Sequence, residues 1–135
     1  MNTPDHSFGF KNEILLKKSI ESITGPLNKL TRWAPFDYSN KDCFVELKSR
    51  NCLSTTYQTT MIGMSKIEKC NHLFDYYFFF KFDDGLFYWK FVPDHGYTIS
   101  SGGRYDRGKA EVRDYLYVPV KDLTRYIEPS NCDCS

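Results

Sequence analysis

The chain has 135 residues, enough for one domain around a single core, and its composition gives no sign of a second. A net charge of only +1 excludes a protein that grips a long duplex through many evenly spread phosphate contacts. Any affinity for nucleic acid must come from a local patch, from oligomerisation or from a partner.

Residues 1–10 read as a loose arm, because Asn2, Thr3, Pro4 and Asp5 offer turn chemistry and no period. Over residues 11–24, Ile14, Leu15, Ile20 and Ile23, with Leu16 beside them, give a helical stripe, and Gly25 and Pro26 supply a stop. Residues 30–38 read as a first strand, with Trp33 and Phe36 too large to leave wholly exposed. Asn40, between Ser39 and Lys41, marks a tight turn into a second strand over residues 41–50. The polar run 54–60 leads into Met61, Ile62, Met64 and Ile67, whose spacing predicts a second helix ending near Asn71.

Residues 73–82 and 86–92 flank Asp83, Asp84 and Gly85, the strongest short-range hairpin signal in the chain. Phe74, Tyr76, Phe78 and Phe80 alternate with Tyr77, Phe79 and Lys81, so both faces are largely apolar and the strand is expected to be central. With aromatics at 17%, rings should build much of the core and part of a binding surface. Residues 93–109 hold two Gly clusters with Arg104, Arg107 and Lys109. They read as a basic loop able to follow a phosphate backbone while Tyr105 stacks on a base. Asp106 and Glu111 dilute that charge, and an ordinary surface loop is the competing reading. Residues 111–120 alternate as a last strand, 121–126 suggest one helical turn, and 129–135 a frayed tail.

The five cysteines, at 43, 52, 70, 132 and 134, follow a polar N-terminal stretch without an apolar leader. That pattern implies free thiols and an intracellular location, cytoplasmic or nuclear. Structural zinc is the rival, but Cys132 and Cys134 form C-x-C and His72 lies only two residues after Cys70, a poor tetrahedral spacing. No apolar run approaches the roughly 18 residues of a membrane span, so no membrane partner is expected.

The chemistry concentrates in residues 34–50. Asp37 closes the first strand, while Glu46 and Lys48 share one face of the second and Val45 and Leu47 the other. Two carboxylates from adjacent strands can then converge. A Mg²⁺ or Mn²⁺ ion wants hard oxygen ligands in octahedral geometry, typically one or two carboxylates with water and substrate phosphate completing the shell. Asp37, Glu46 and the backbone carbonyl of Leu47 could supply the protein's share, with Lys48 facing the attacking water or the phosphate. The bland alternative is a solvated surface pair between Glu46 and Lys48, worth less than about 1 kcal/mol.

Pro35, Phe36 and Asp37, followed by Glu46, Leu47 and Lys48, resemble the core of the PD-(D/E)XK, or restriction-endonuclease-like, nuclease superfamily. One residue separates Pro35 from Asp37, a departure from that family's usual proline-aspartate. The resemblance covers residues 13–66, including a helix on either side of the strand pair. It implies an α/β fold, with a central mixed sheet of about five strands flanked by two main helices in a single nuclease-like domain. It further implies a metal-dependent nuclease acting on nucleic acid, with DNA the expected substrate.

In many members an acidic residue of the first helix reaches the metal site, which brings in Glu13, although an acid near a helix start is also favoured by the macrodipole. Lys66 resembles a basic position that some of these nucleases place beside the active site, and Gln58 a glutamine near the same helix. Arg50 joins Lys66, Arg104, Arg107 and Lys109 as a candidate contact to nucleic acid. Cutting both strands of a duplex needs two sites, so a homodimer is expected in that case. A non-catalytic nuclease-like module that binds nucleic acid or protein is the alternative, and a structural protein with an aromatic subunit interface is the third reading.

Overall fold

The computed structural model describes residues 4–106 and 109–127, with side chains placed for 14–101 and 113–127. In chain order it contains α1 (Pro4–Thr24), β1 (Asn28–Lys29), β2 (Tyr38–Ser39), β3 (Cys43–Ser49), β4 (Thr59–Gly63) and the short α2 (Met64–Ile67). Then come β5 (Asp75–Phe82), β6 (Gly85–Lys90), β7 (Thr98–Asp106), β8 (Lys109–Pro119), a 3-10 turn (Val120–Asp122) and β9 (Thr124–Arg125). The fold is α/β with a mixed sheet, as the sequence implies. The strands, however, number six in one sheet, ordered β1-β2-β3-β5-β6-β9, with a separate three-stranded sheet ordered β4-β8-β7.

The largest sheet is built around β5. Its register with β3 is parallel, from Cys43 opposite Asp75 to Ser49 opposite Lys81, and with β6 antiparallel through the turn at Asp83 and Asp84. Side chains alternate across the pleat, so β5 feeds two cores. Tyr76, Phe78, Phe80 and Phe82 pack with Phe36, Trp89, Ile62, Ile67, Leu116 and Val118, which joins the two sheets and α2. Phe79 points the other way and packs with Val45, Cys43, Leu86 and Ile20 of α1. Phe78, Phe79 and Phe80 are all essentially inaccessible to solvent, which is why this run is apolar on both faces.

Five expectations are corrected. Helix α1 begins at Pro4 rather than residue 11, with proline at the first helical position, where its missing N–H costs nothing. Residues 30–38 are not one strand. Only the ends pair, Asn28 with Ser39 and Lys29 with Tyr38, and between them Ala34 N–H turns back onto Thr31 O at 3.0 Å, leaving Trp33 81% exposed. Residues 59–63 form β4, not helix, because Thr60 and Ile62 are buried while Thr59 and Met61 are exposed, a period of two that pairs with β8. Helix survives only as the single turn of α2. Residues 98–106 are the strand β7, whose partner β8 supplies a ladder from Thr98 opposite Tyr117 to Asp106 opposite Lys109, so pairing overrides the glycines. The 3-10 turn and β9 stand where one helical turn was expected. The expected tail at 129–135, with Cys132 and Cys134, lies outside the described residues.

Two devices fix the junction between α1 and the sheet. Gly25, at φ 87°, closes the helix with its N–H on Glu21 O at 2.8 Å, a left-handed cap that favours glycine. Asn40 holds the β2–β3 turn and the helix end together. Its Oδ1 accepts from Asp42 N–H at 2.7 Å and Cys43 N–H at 2.9 Å, and its Nδ2 donates to Thr24 O and Pro26 O, both at 3.1 Å. Among the described residues, no helix is long and apolar enough to cross a membrane. Replacing Asn40 by Ala should lower unfolding stability by about 2 kcal/mol, measured as a shift of the urea midpoint at constant slope. Asn40→Asp, which keeps both accepted bonds, should lose less.

Candidate active site

Asp37 stands just ahead of β2 and extends that strand's pairing by two means. Its backbone N–H donates to Val45 O at 3.0 Å, and its carboxylate Oδ2 accepts from Leu47 N–H at 2.8 Å. The side chain thus takes the place of the next backbone acceptor, where β2 has no further residue to offer, and holds the carboxylate against β3. Within a strand a residue's N–H and C=O face the same edge, so the Leu47 carbonyl points toward the side from which Asp37 approaches.

Glu46 is the neighbouring residue on β3, 4% exposed, on the face that looks toward α2. Burial raises its pKa above the ordinary glutamate value of 4.5, and the nearby Asp37 charge raises it further, while Lys66 and Lys48 pull it back. Lys48 Nζ lies 3.3 Å from Glu46 Oε2, and Lys66 Nζ lies 3.7 Å from Oε1. Lys66 also donates to the carbonyl of Pro35 and sits 5.7 Å from the Phe36 ring centre. The two residues that precede Asp37 therefore hold the lysine that faces Glu46. Glu46 Oε1 is buried and has no hydrogen-bond partner among the described residues.

This donor set fits a hard divalent cation. Two carboxylates that repel each other, one with an oxygen left unbonded, together with a strand-edge carbonyl, offer oxygen ligands only, which suits Mg²⁺ or Mn²⁺ better than zinc. Among the described residues no three His, Cys, Asp or Glu side chains gather, so the remaining positions would fall to water and phosphate. Beside the acids opens a groove of about 500 Å³ between the two sheets, lined by Lys48, Arg50, Lys66, Arg113 and Tyr115 among others. Its cations, Lys48, Arg50, Lys66 and Arg113, outnumber its acids, Glu68 and Asp114.

A protein family described as "Phage putative PDDEXK endonuclease" matches residues 8–126, most of the chain. The chain belongs to this family. No curated protein and no solved structure matches it. Membership bears out the PD-(D/E)XK resemblance carried by Asp37 and the Glu46-Leu47-Lys48 tripeptide, and it makes nucleic acid the substrate that the family name implies.

Of the residues singled out from the sequence of this PDDEXK family member, the fold brings Asp37, Glu46, Leu47, Lys48 and Lys66 together. Arg50 lines the groove but is anchored, its Nε on Thr60 Oγ1 at 3.2 Å and its Nη2 on Met61 O at 2.7 Å. Gln58 is exposed and stands apart, its carbonyl accepting from Val120 N–H at 2.8 Å. Glu13 lies on α1, which packs on the sheet face of Val45 and Phe79, opposite Glu46, and its side chain lies outside the described residues. Arg104 and Lys109 belong to β7 and β8 rather than a loop, again without described side chains, and Arg107 lies outside the described residues altogether.

Sequence reasoning missed Arg113 and Tyr115 in the groove wall. Their alternation in β8 was legible, but not the face that it presents to β3. The raised pKa of Glu46 makes the folded state bind its proton more tightly than the unfolded chain, so stability should fall as pH rises above 4.5 through the raised value. Glu46→Gln should flatten that fall, seen as a denaturant midpoint that changes less between pH 4.5 and neutrality than in the parent.

Proposed function

We propose that the protein is a divalent-metal-dependent nuclease that hydrolyses phosphodiester bonds of nucleic acid, with DNA as its substrate. The observation that carries this reading is the Asp37 carboxylate held on Leu47 N–H beside the buried Glu46, with Lys48 on the same face. Asp37, Glu46 and the Leu47 carbonyl would hold Mg²⁺ or Mn²⁺, and such an ion, when bound, makes water more acidic and polarises phosphoryl oxygens.

The chain's own residues do the rest. The groove admits the strand, and Arg50 and Arg113 in its wall attract the phosphates. Lys48, half exposed at the groove's edge, orients the attacking water and offsets the charge that builds on the phosphorus-bound oxygens. Lys66, tethered to Pro35, offsets part of the burial that disfavours the charged Glu46 carboxylate. If both strands of a duplex are cut, two such chains act as a homodimer.

A second reading, a non-catalytic nucleic-acid-binding module, is favoured by one feature. Both lysines already neutralise Glu46, which leaves Asp37 the less committed acid. A Mn²⁺ titration separates the two, because the enzyme's binding should disappear in Asp37→Ala while the module shows none to lose. Replacing either Asp37 or Lys48 by Ala should cut Mg²⁺-dependent cleavage of DNA at least about 100-fold with the far-ultraviolet circular dichroism unchanged. Cleavage at the parental rate in either variant would refute the assignment.

A further inference from the structure

Beside the groove lies a second cavity of about 360 Å³, bounded by Arg50, Cys52, Tyr57, Met61, Phe82 and Tyr117 among others. Arg50 and Met61 line both spaces, so the cavity and the groove share a wall. Pockets that hold small organic groups begin at about 300 Å³ and combine apolar walls with a few fixed polar groups, and this one has that character. Phe82 and Met61 give it apolar surface, and two tyrosine rings stand in its lining. Its charged element is the Arg50 guanidinium, set over the Phe80 ring at 5.6 Å and held by Thr60 Oγ1 and Met61 O, with Thr59 and Thr60 also in the lining. A guanidinium carries five donors, so these two bonds leave it capacity for a guest's oxygen or ring nitrogen.

Tyr57 is the telling residue. It is 68% exposed, a large ring left in water at an apolar cavity that adjoins a cationic groove. Exposed aromatics next to such grooves serve as stacking platforms for unpaired bases, since every base has a π face, while a guanidinium can serve its polar edge. We propose that this cavity takes one unpaired nucleobase of the strand whose phosphates lie in the groove, with Tyr57 stacked on its face and Arg50 at its edge. The proposal rests on the nuclease reading of the groove and narrows the substrate class. A base inside an intact duplex is paired and stacked and must be extruded to enter, so the preferred substrates carry an unpaired nucleotide next to the bond to be cut, as in single strands, flaps or gaps.

The test is binding of the full chain in EDTA to single-stranded DNA oligonucleotides that carry 2-aminopurine or an abasic residue at successive positions, alongside a fully paired duplex. The expected result is a 2-aminopurine fluorescence change at one position, with an abasic residue there weakening binding about ten-fold. Tyr57→Ala should remove both effects, Tyr57→Phe should keep them, and neither should alter duplex affinity. Single strands that bind without a fluorescence change, and equally tightly to the parent and to Tyr57→Ala, would overturn the base pocket while leaving the groove's role standing. If no oligonucleotide binds, with or without Mg²⁺, the nuclease reading falls and the pocket with it.

Discussion

The parallel pairing of β3 with β5 is the constraint on which the site depends. β3 ends at Ser49, opposite Lys81, and β5 must begin at the far end, opposite Cys43, so the intervening chain has to travel back roughly 20 Å, the length of the strand. It returns over the face that carries Phe78 and Phe80, laying Ile62 and Ile67 on them as β4 and α2. Because Lys66 directly precedes Ile67, the same burial that seats the crossover brings an ammonium group to Glu46. The packing of the core and the electrostatics of the site are thus one arrangement seen from two sides.

That arrangement explains how an acid with 4% exposure is tolerated in a sheet made mostly of rings. Removing a carboxylate from water is expensive unless charge of the opposite sign goes with it. Here two lysines approach different oxygens, one from the same strand and one from the crossover, while Asp37 opposes them from the edge of β2. The balance is incomplete, since Glu46 remains harder to ionise than a glutamate in water. Burial outweighs the two lysines, and the Asp37 charge adds to it.

Much of this could be read from the residues, and the limits have physical causes. The two-sided apolar run of β5 and the turn at Asp83 and Asp84 are local signals, and both appear as expected. The alternation that puts Glu46 and Lys48 on one face follows from the pleat alone. The apolar spacing of Met61, Ile62, Met64 and Ile67 favours helix, and one of the two inward positions of β4 is the polar Thr60, so only pairing with β8, more than fifty residues away, makes residues 59–63 a strand. Gly102, Gly103 and Arg104 of β7 suggest a loop for the same reason, since a strand partner outweighs a weak local preference. The bond from Leu47 N–H to Asp37, and the meeting of Lys66 with Glu46 and the Pro35 carbonyl, depend on register and crossover, which no local pattern encodes.

The segment between β1 and β2 that delivers Pro35 and Asp37 also carries Trp33, turned outward with the Arg32 guanidinium 4.8 Å from its ring centre, while Trp89 of β6 is 6% exposed among Phe78, Phe91 and Tyr97. These are the chain's only two indoles. One is wet and lies in the segment that leads to Asp37, the other dry and central, so intrinsic emission excited at the red edge carries two spectrally separable signals. An aqueous quencher extinguishes the first without touching the second, which lets an unlabelled sample report separately on events at its working edge and on the integrity of its interior.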